Sequence, residues 1–89
     1  MDAKPKAPLA DPLTWSDEIT PYDEEHLVTY LRLLDAEAAG TPDRDVCRAI
    51  LDLDVDQHPE KTRRILADHM RRAKWMMEFG YKALLRQDA

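Results

Sequence analysis

The longest helical pattern in the chain is HPEKTRRILADHMRRAKWMMEF, which spans residues 58–79. Histidine followed by proline is a typical helix start, because proline has the φ angle of a first helical residue and no amide hydrogen to leave unpaired. The pattern predicts an amphipathic helix of about six turns, with one face directed at a core. At 100° per residue that face carries Leu66, Met70, Ala73 and Met77.

The opposite face of this helix is polar except for one tryptophan. It consists of Arg64, Asp68, Arg71 and Trp75. Two interpretations of Trp75 stay open, since tryptophan is usually buried for its large apolar area. Either the first helix, the N-terminal arm or a bend near Gly80 covers it, or it forms with the arginines an exposed patch of the kind found at protein interfaces.

The first of the shorter helices is predicted to begin at Thr20 and Pro21. Threonine is a favourable N-cap, and Asp23 stands where a capping box has its acidic residue. Gly40 is expected to end this helix, because glycine adopts the left-handed conformation of a helix C-terminus without strain. The predicted buried stripe is Leu27, Leu31, Leu34 and Ala38, with Tyr30 at its edge.

A second short helix is predicted to begin at Thr41 and Pro42. Its buried side chains are expected to be Val46, Ile50 and either Leu53 or Leu51. No alternating strand pattern occurs, so the sequence predicts an all-α fold: a small helix-turn-helix-like domain of three to four helices over residues 20–89. Residues 1–19 are rich in proline and lack periodicity, which predicts a flexible, disordered N-terminal arm. Its Leu13, Trp15 and Ile19 are candidates for docking onto the domain or a partner.

Charge is distributed unevenly along the chain. Residues 1–58 have a net charge of −9, residues 59–89 have +4, and the whole chain has −5. A short helix, a turn of three to six residues and a basic helix follow one another in the order of a helix-turn-helix. Candidate DNA-binding residues on the basic helix are Lys61, Arg63, Arg64, Arg71 and Lys74.

Several classes of site are not favoured by the sequence. Asp52, Asp54 and Asp56 have the spacing of a calcium loop, but Gln57 and Arg63 replace its glycine and its bidentate glutamate. His26, His58 and His69 do not have metal-ligand spacing, and His69 is expected to be a core histidine with satisfied hydrogen bonds. We therefore expect no catalytic, cofactor-binding or metal site, and no enzymatic activity. The single cysteine, Cys47, is expected in the core and fits a reducing cytoplasm; no apolar run is long enough to span a membrane.

Three stretches resemble a known protein family. They are Tyr22–Ala36, His69–Met76 and the closing Gly80–Arg86, which reads Gly-Tyr-Lys-Ala-Leu-Leu-Arg. The family is a proteobacterial helix-turn-helix variant that forms the DNA-binding part of activators such as RovC and FseA. The resemblance spans residues 20–86 and implies a helix-turn-helix fold.

The resemblance also implies a role. A stand-alone copy of this size looks most like a small antiactivator of the family, and this chain is expected to lack the N-terminal domain that the activators carry. The implied partners are a LuxR-type quorum-sensing regulator and an FseA-type activator, whose inhibition represses excision and conjugative transfer of an integrative element. We expect a monomer whose partner-binding residues are Arg64, Asp68, Arg71 and Trp75, with Arg32 and Asp35 on the first helix.

Two alternatives to this role stay open. One is a small DNA-binding transcriptional regulator, although five aspartates, Asp43, Asp45, Asp52, Asp54 and Asp56, would then lie beside phosphates. The other is an assembly module that pairs with itself through Met70, Met76 and Met77.

Overall fold

The computed structural model of the chain describes residues 9–80 together with residue 82. Four α-helices follow one another: α1 (Pro21–Glu25), α2 (Leu27–Ala38), α3 (Asp43–Ala49) and α4 (Pro59–Trp75). A π-helical turn, Met76–Gly80, continues α4. The described residues contain no strand, and none of their helices is long and apolar enough to cross a membrane. The predicted all-α fold is confirmed.

The ends of the first helical region follow from local capping. The Thr20 hydroxyl accepts a hydrogen bond from the Asp23 amide, and the Asp23 carboxylate accepts one from the Thr20 amide, which completes the predicted capping box. The helix is interrupted at His26, so that the single helix expected from the sequence is two consecutive segments. Gly40 has a φ of +73°, the left-handed conformation predicted for the helix end.

The buried stripe predicted for this region is wrong by about one residue. Tyr30 and Leu33 are buried on α2, whereas Leu31 is 62 % exposed and Ala38 is exposed. The rotation has a polar cause, because Asp23 is itself buried and the Tyr30 hydroxyl donates to it at 2.8 Å. A prediction from hydrophobic periodicity assigns every acidic residue to the solvent-exposed face. It therefore cannot predict that a buried carboxylate determines which face of α2 is buried.

The core lies between α2, α3 and α4. Leu33 of α2 meets Val46 and Cys47 of α3, Leu51 just after it, and Ile65 and Leu66 of α4. Cys47 is a core residue as predicted, and burial raises the pKa of its thiol. Of the two leucines left open for α3, Leu51 is buried and Leu53 is half-buried. A second cluster joins Tyr30 to Ala73 and Met76.

Helix α4 begins at Pro59 as predicted, but its buried face is rotated from the expected one. Met70 is half-buried and Met77 is 59 % exposed, whereas Arg72, absent from the predicted face, is only 2 % exposed. The connection before α4 is also longer than the expected three to six residues. Because α3 ends at Ala49, residues 50–58 form this connection, with Asp52 at a φ of +56°.

Candidate interaction surfaces around helix α4

The basic residues predicted to bind DNA all lie exposed on α4. Two of them are already paired with carboxylates. Arg64 holds Asp11 through Nε and Nη2 at 2.7 and 2.8 Å, and Lys74 Nζ lies 3.0 Å from Glu37. The hydrogen bonds from Arg64 lower the pKa of Asp11. Among the described residues, no carboxylate pairs with the other three, which are Lys61, Arg63 and Arg71.

Residues 9–19 lie along the side of α4 that the sequence offered as a partner surface. The Leu13 amide donates to the Asp68 carboxylate at 3.3 Å, and Trp15 packs edge-on against Trp75 with 5.8 Å between ring centroids. Trp75 is therefore half-buried, and of the interpretations left open, cover by the N-terminal arm is the one observed. Arg71 stays exposed, with its guanidinium 5.4 Å from the Trp15 ring centroid.

Arg72 is the residue that sequence reasoning missed. Its Nε and Nη2 donate to the two oxygens of Asp23 at 2.9 and 2.6 Å, and both side chains are buried. Its guanidinium also donates to the carbonyls of Ser16 and Glu18 and lies 4.0 Å from the Trp75 ring centroid. One side chain thus joins α4, α1 and the arm. The sequence did contain an indication of its burial, because Arg72 has helical spacing from His69 and Met76, which are also buried.

Asp23 remains charged in this setting. Burial by itself raises the pKa of its carboxyl. The hydrogen bonds from Arg72, the Thr20 amide and Tyr30 lower this pKa by more than burial raises it, so that the net shift is downward. Burial raises the pKa of Tyr30 as well, and the adjacent carboxylate adds to that effect. Asp23 and Arg72 therefore form a buried ion pair whose hydrogen bonds are satisfied and whose role is structural.

A histidine–tyrosine cluster binds the arm at Ala10. His69 is fully buried and its Nδ1 donates to the Ile65 carbonyl at 2.7 Å, so its Nε2 accepts from the Tyr22 hydroxyl at 2.5 Å. The same hydroxyl accepts from the Ala10 amide at 3.0 Å. Burial lowers the pKa of His69, as expected for a neutral imidazole in a core. The prediction that His69 is a satisfied core histidine is confirmed.

The two remaining predicted partner residues lie on α2, apart from the arm. Arg32 is exposed, with Nη2 3.5 Å from the Ala49 carbonyl oxygen. Asp35 is exposed at the edge of an apolar groove between α2 and the end of α4. The structure therefore groups Arg64, Asp68, Arg71 and Trp75 beside the arm, and it places Arg32 and Asp35 on another helix.

The segment from α3 into the start of α4 is acidic. Residues 43–60 contain two arginines and six carboxylates, for a net charge of −4. All six carboxylates are exposed, and only Asp56 is paired, with Arg44 Nη1 at 2.6 Å, among the described residues. The hydrogen bond from Arg44 lowers the pKa of Asp56. We call residues 43–60 the acidic segment.

Comparison with known proteins gives one family. The family model RovC_DNA-bd, described as "T6SS, Transcription factor, DNA binding domain", matches residues 3–86. The match includes most of the predicted arm, in agreement with the contacts of residues 9–19. The comparison with curated proteins found no match.

Proposed function

The chain belongs to the RovC DNA-binding domain family, and from this premise we propose that it acts in the cytoplasm as an antiactivator of transcription. In this role it binds activator proteins and holds them inactive, as the resemblance to the small antiactivator QseM implies. The proposed partners are a LuxR-type quorum-sensing regulator and an FseA-type activator. The proposed outcome is repression of the excision and conjugative transfer of an integrative element.

The observation that carries this proposal is the charge of the acidic segment. A helix-turn-helix brings its first helix and its turn against the DNA backbone while the second helix enters the major groove. Here those elements carry five exposed carboxylates, and a duplex presents one negative charge per ~1.7 Å of axis. At separations below a Debye length of about 8–10 Å these charges repel. The segment favours a protein partner over a phosphate backbone.

Titration of a labelled mixed-sequence duplex with the protein at about 50 mM salt tests this step. DNA-binding domains show non-specific binding at micromolar concentrations or better under such conditions, and their affinity falls steeply with salt. We expect no salt-sensitive binding, with fluorescence anisotropy as the readout. Micromolar, salt-sensitive binding would contradict the proposal.

A gain-of-function variant sharpens the test. The variant is Asp45→Asn/Asp52→Asn/Asp54→Asn, and its asparagines are compatible with the backbone conformation. Asparagine tolerates the positive φ of position 52. The amide oxygen introduced at position 54 can still accept the hydrogen bond from the Asp56 amide. Removing three charges changes the acidic segment from −4 to −1. We expect duplex affinity to rise on the order of tenfold, from ~0.5 kcal/mol of relieved repulsion per charge. No change in affinity would show that the acidic segment does not limit DNA binding.

The antiactivator step itself needs an activator. We expect expression from a reporter under a LuxR-type activator to fall when this chain is co-expressed, and the purified chain to retain the tagged activator in a pull-down. Repression without physical retention would refute direct binding. Of the surfaces predicted from the sequence, Arg71→Ala/Trp75→Ala probes the arm side, with circular dichroism to show that the variant folds.

A second candidate, a small DNA-binding regulator, is favoured by the five exposed basic residues of α4 and by the family description. Arg64 and Lys74 are paired internally, so three cations are available for phosphates without breaking an ion pair. Three contacts predict a slope of about −2.7 for log affinity against log salt, and five predict about −4.5. A slope in this range would favour this candidate over the antiactivator.

A further inference from the structure

An apolar groove lies between α2 and the end of α4. Its volume is about 590 Å³. One wall is formed by Leu27, Leu31 and Leu34 of α2, and the other by Ala73, Met76 and Met77. Leu31 and Met77 are 62 % and 59 % exposed, and Val28, beside Leu27 in the chain, is 69 % exposed.

The groove has the features of a protein-binding surface. Contiguous apolar side chains on a small soluble domain mark interaction sites, because each exposed leucine or methionine forgoes roughly 1.5–3 kcal/mol of burial. Methionines suit such a surface, since their flexible thioethers adapt to different partners. A small-molecule site would need several convergent polar groups. Here the polar lining residues are Tyr30, whose hydroxyl is bound to Asp23, and Asp35.

The charges around the groove specify what fits it. Along α2, the exposed residues Val28, Leu31 and Asp35 have helical spacing, so that a carboxylate follows an apolar pair at the edge of the groove. Met77 lines the opposite wall, and the residue that follows it in the chain, Glu78, is exposed. The nearby cation Lys74 is paired with Glu37. An apolar surface bordered by carboxylates is complementary to an apolar helix face bordered by lysine or arginine.

We propose that this groove binds an amphipathic helix of a partner protein, with an apolar stripe flanked by basic residues. The proposal rests on the proposed function and names the contact surface of the same antiactivator. It places that contact on α2 and the end of α4, because the chain's own residues 13–18 lie against Asp68, Arg72 and Trp75 on the other side of α4. Helix-in-groove binding of this kind uses anchors at i, i+3, i+4 and i+7.

The first test uses a fluorescein-labelled leucine–lysine peptide of about four helical turns, with leucines at those four positions in each repeat. We expect the full chain to bind it, and to bind an otherwise identical leucine–glutamate peptide at least tenfold more weakly. Equal binding of the two peptides would contradict the role of the carboxylates.

Leu31→Asp separates groove binding from general attraction between a basic peptide and an acidic protein. The variant adds a negative charge, so non-specific attraction would grow, whereas loss of an anchor position should weaken binding at least tenfold. Ala67→Asp is the matched control, since it adds the same charge on the exposed side of α4 away from the groove and should leave binding within about twofold. Unchanged or tighter binding by Leu31→Asp would overturn the proposal.

Three further outcomes are distinguished by the same variants. If sedimentation shows a dimer that Leu31→Asp dissociates, and the peptide does not bind, the groove is a self-interface and the proposal is wrong. If the chain represses the activator reporter and Leu31→Asp represses equally well, the groove is wrong and the antiactivator function stands. If the peptide binds at the groove and the chain does not repress, the surface stands and the antiactivator function fails.

Discussion

Replacement of Asp23 by asparagine removes the charge of a buried ion pair while keeping the side-chain size. The carboxylate accepts four hydrogen bonds, two at each oxygen: Oδ1 from Arg72 Nε and the Tyr30 hydroxyl, and Oδ2 from Arg72 Nη2 and the Thr20 amide. The amide nitrogen of asparagine cannot accept, so two of these bonds are lost in either orientation. The guanidinium of Arg72 is left buried without a counter-charge.

The size of the effect follows from these contacts. Two lost hydrogen bonds to a charged group cost about 3–6 kcal/mol, and removal of one partner of a buried pair costs about 3–5 kcal/mol. A domain of this size has a total stability of roughly 4–13 kcal/mol. We therefore expect Asp23→Asn to lower the free energy of unfolding by about 3–5 kcal/mol and Tm by roughly 12–40 °C.

Urea and thermal unfolding, followed by circular dichroism, measure this loss. Where Asp23→Asn is unfolded at 25 °C, Tyr30→Phe gives a graded version, since it removes one hydrogen bond to the carboxylate at about 1.5–3 kcal/mol. Glu37→Gln is the control, because it breaks the half-exposed pair with Lys74 and should cost less than about 1 kcal/mol. If Asp23→Asn is as stable as Glu37→Gln, the buried pair does not hold the fold together and the reasoning is refuted.

The pH dependence of the wild type supplies an independent check on the same group. The pKa of Asp23 is lower in the folded state than its unfolded value of about 3.9. Its contribution to stability is therefore complete above pH ~4 and is lost as the pH falls through the folded pKa. Tyr30→Phe should show a smaller loss over this range than the wild type, and a wild-type stability that is constant down to pH 3 would contradict the assignment.

The remaining predictions concern the arm, the helix end and the buried histidine. Trp15→Ala should cost about 1–2 kcal/mol and move the emission of Trp75 to longer wavelength, because the edge-on aromatic contact shields that ring; an unchanged spectrum would contradict the docking. Gly40→Ala should cost about 1–2 kcal/mol in urea unfolding through its positive φ alone, since no atom lies within 4 Å of the added Cβ, and Gly40→Asn should cost less. The lowered pKa of His69, caused chiefly by burial, predicts that stability declines as the pH falls below about 6.5 toward the folded pKa; an NMR titration in which His69 protonates at 6.5 or above would contradict it.

The features that the sequence predicts well are local ones. The helix starts at Pro21 and Pro59 and the left-handed Gly40 depend on residues within one turn of each position, so capping rules are sufficient for them. The exposure of the five basic residues of α4 that were predicted to bind DNA was also predictable, because long charged side chains seldom leave water without a partner.

The features that the sequence does not predict depend on contacts between distant residues. Asp23 and Arg72 are 49 positions apart, and each alone would be assigned to a solvated face. Tyr30 of α2 and Arg72 of α4 are both buried and bonded to Asp23, whereas Leu31 and Met77 are exposed and line the apolar groove. Periodicity alone could not decide whether Trp75 is covered or exposed. The arm has no periodic pattern, so the contact between Trp15 and Trp75 was not predictable from it.

The uneven charge of the chain is in part a consequence of folding. Of the four ion pairs among the described residues, three join a basic residue of α4 to a carboxylate from the acidic part of the chain: Arg64–Asp11, Arg72–Asp23 and Lys74–Glu37.

These three pairs differ in how strongly they keep the basic residue from binding a DNA phosphate. The pairs of Arg64 and Lys74 are at least half-exposed at the cation and are worth at most about 1 kcal/mol, so a phosphate can displace the carboxylate at small cost. The buried pair of Arg72 cannot be displaced without unfolding, but Arg72 does not face solvent. Internal pairing therefore does not by itself prevent α4 from binding a duplex. The acidic segment beside α4 is the feature that opposes it, and for this reason removal of its charges, rather than release of the arm, is the perturbation that separates the two candidate functions.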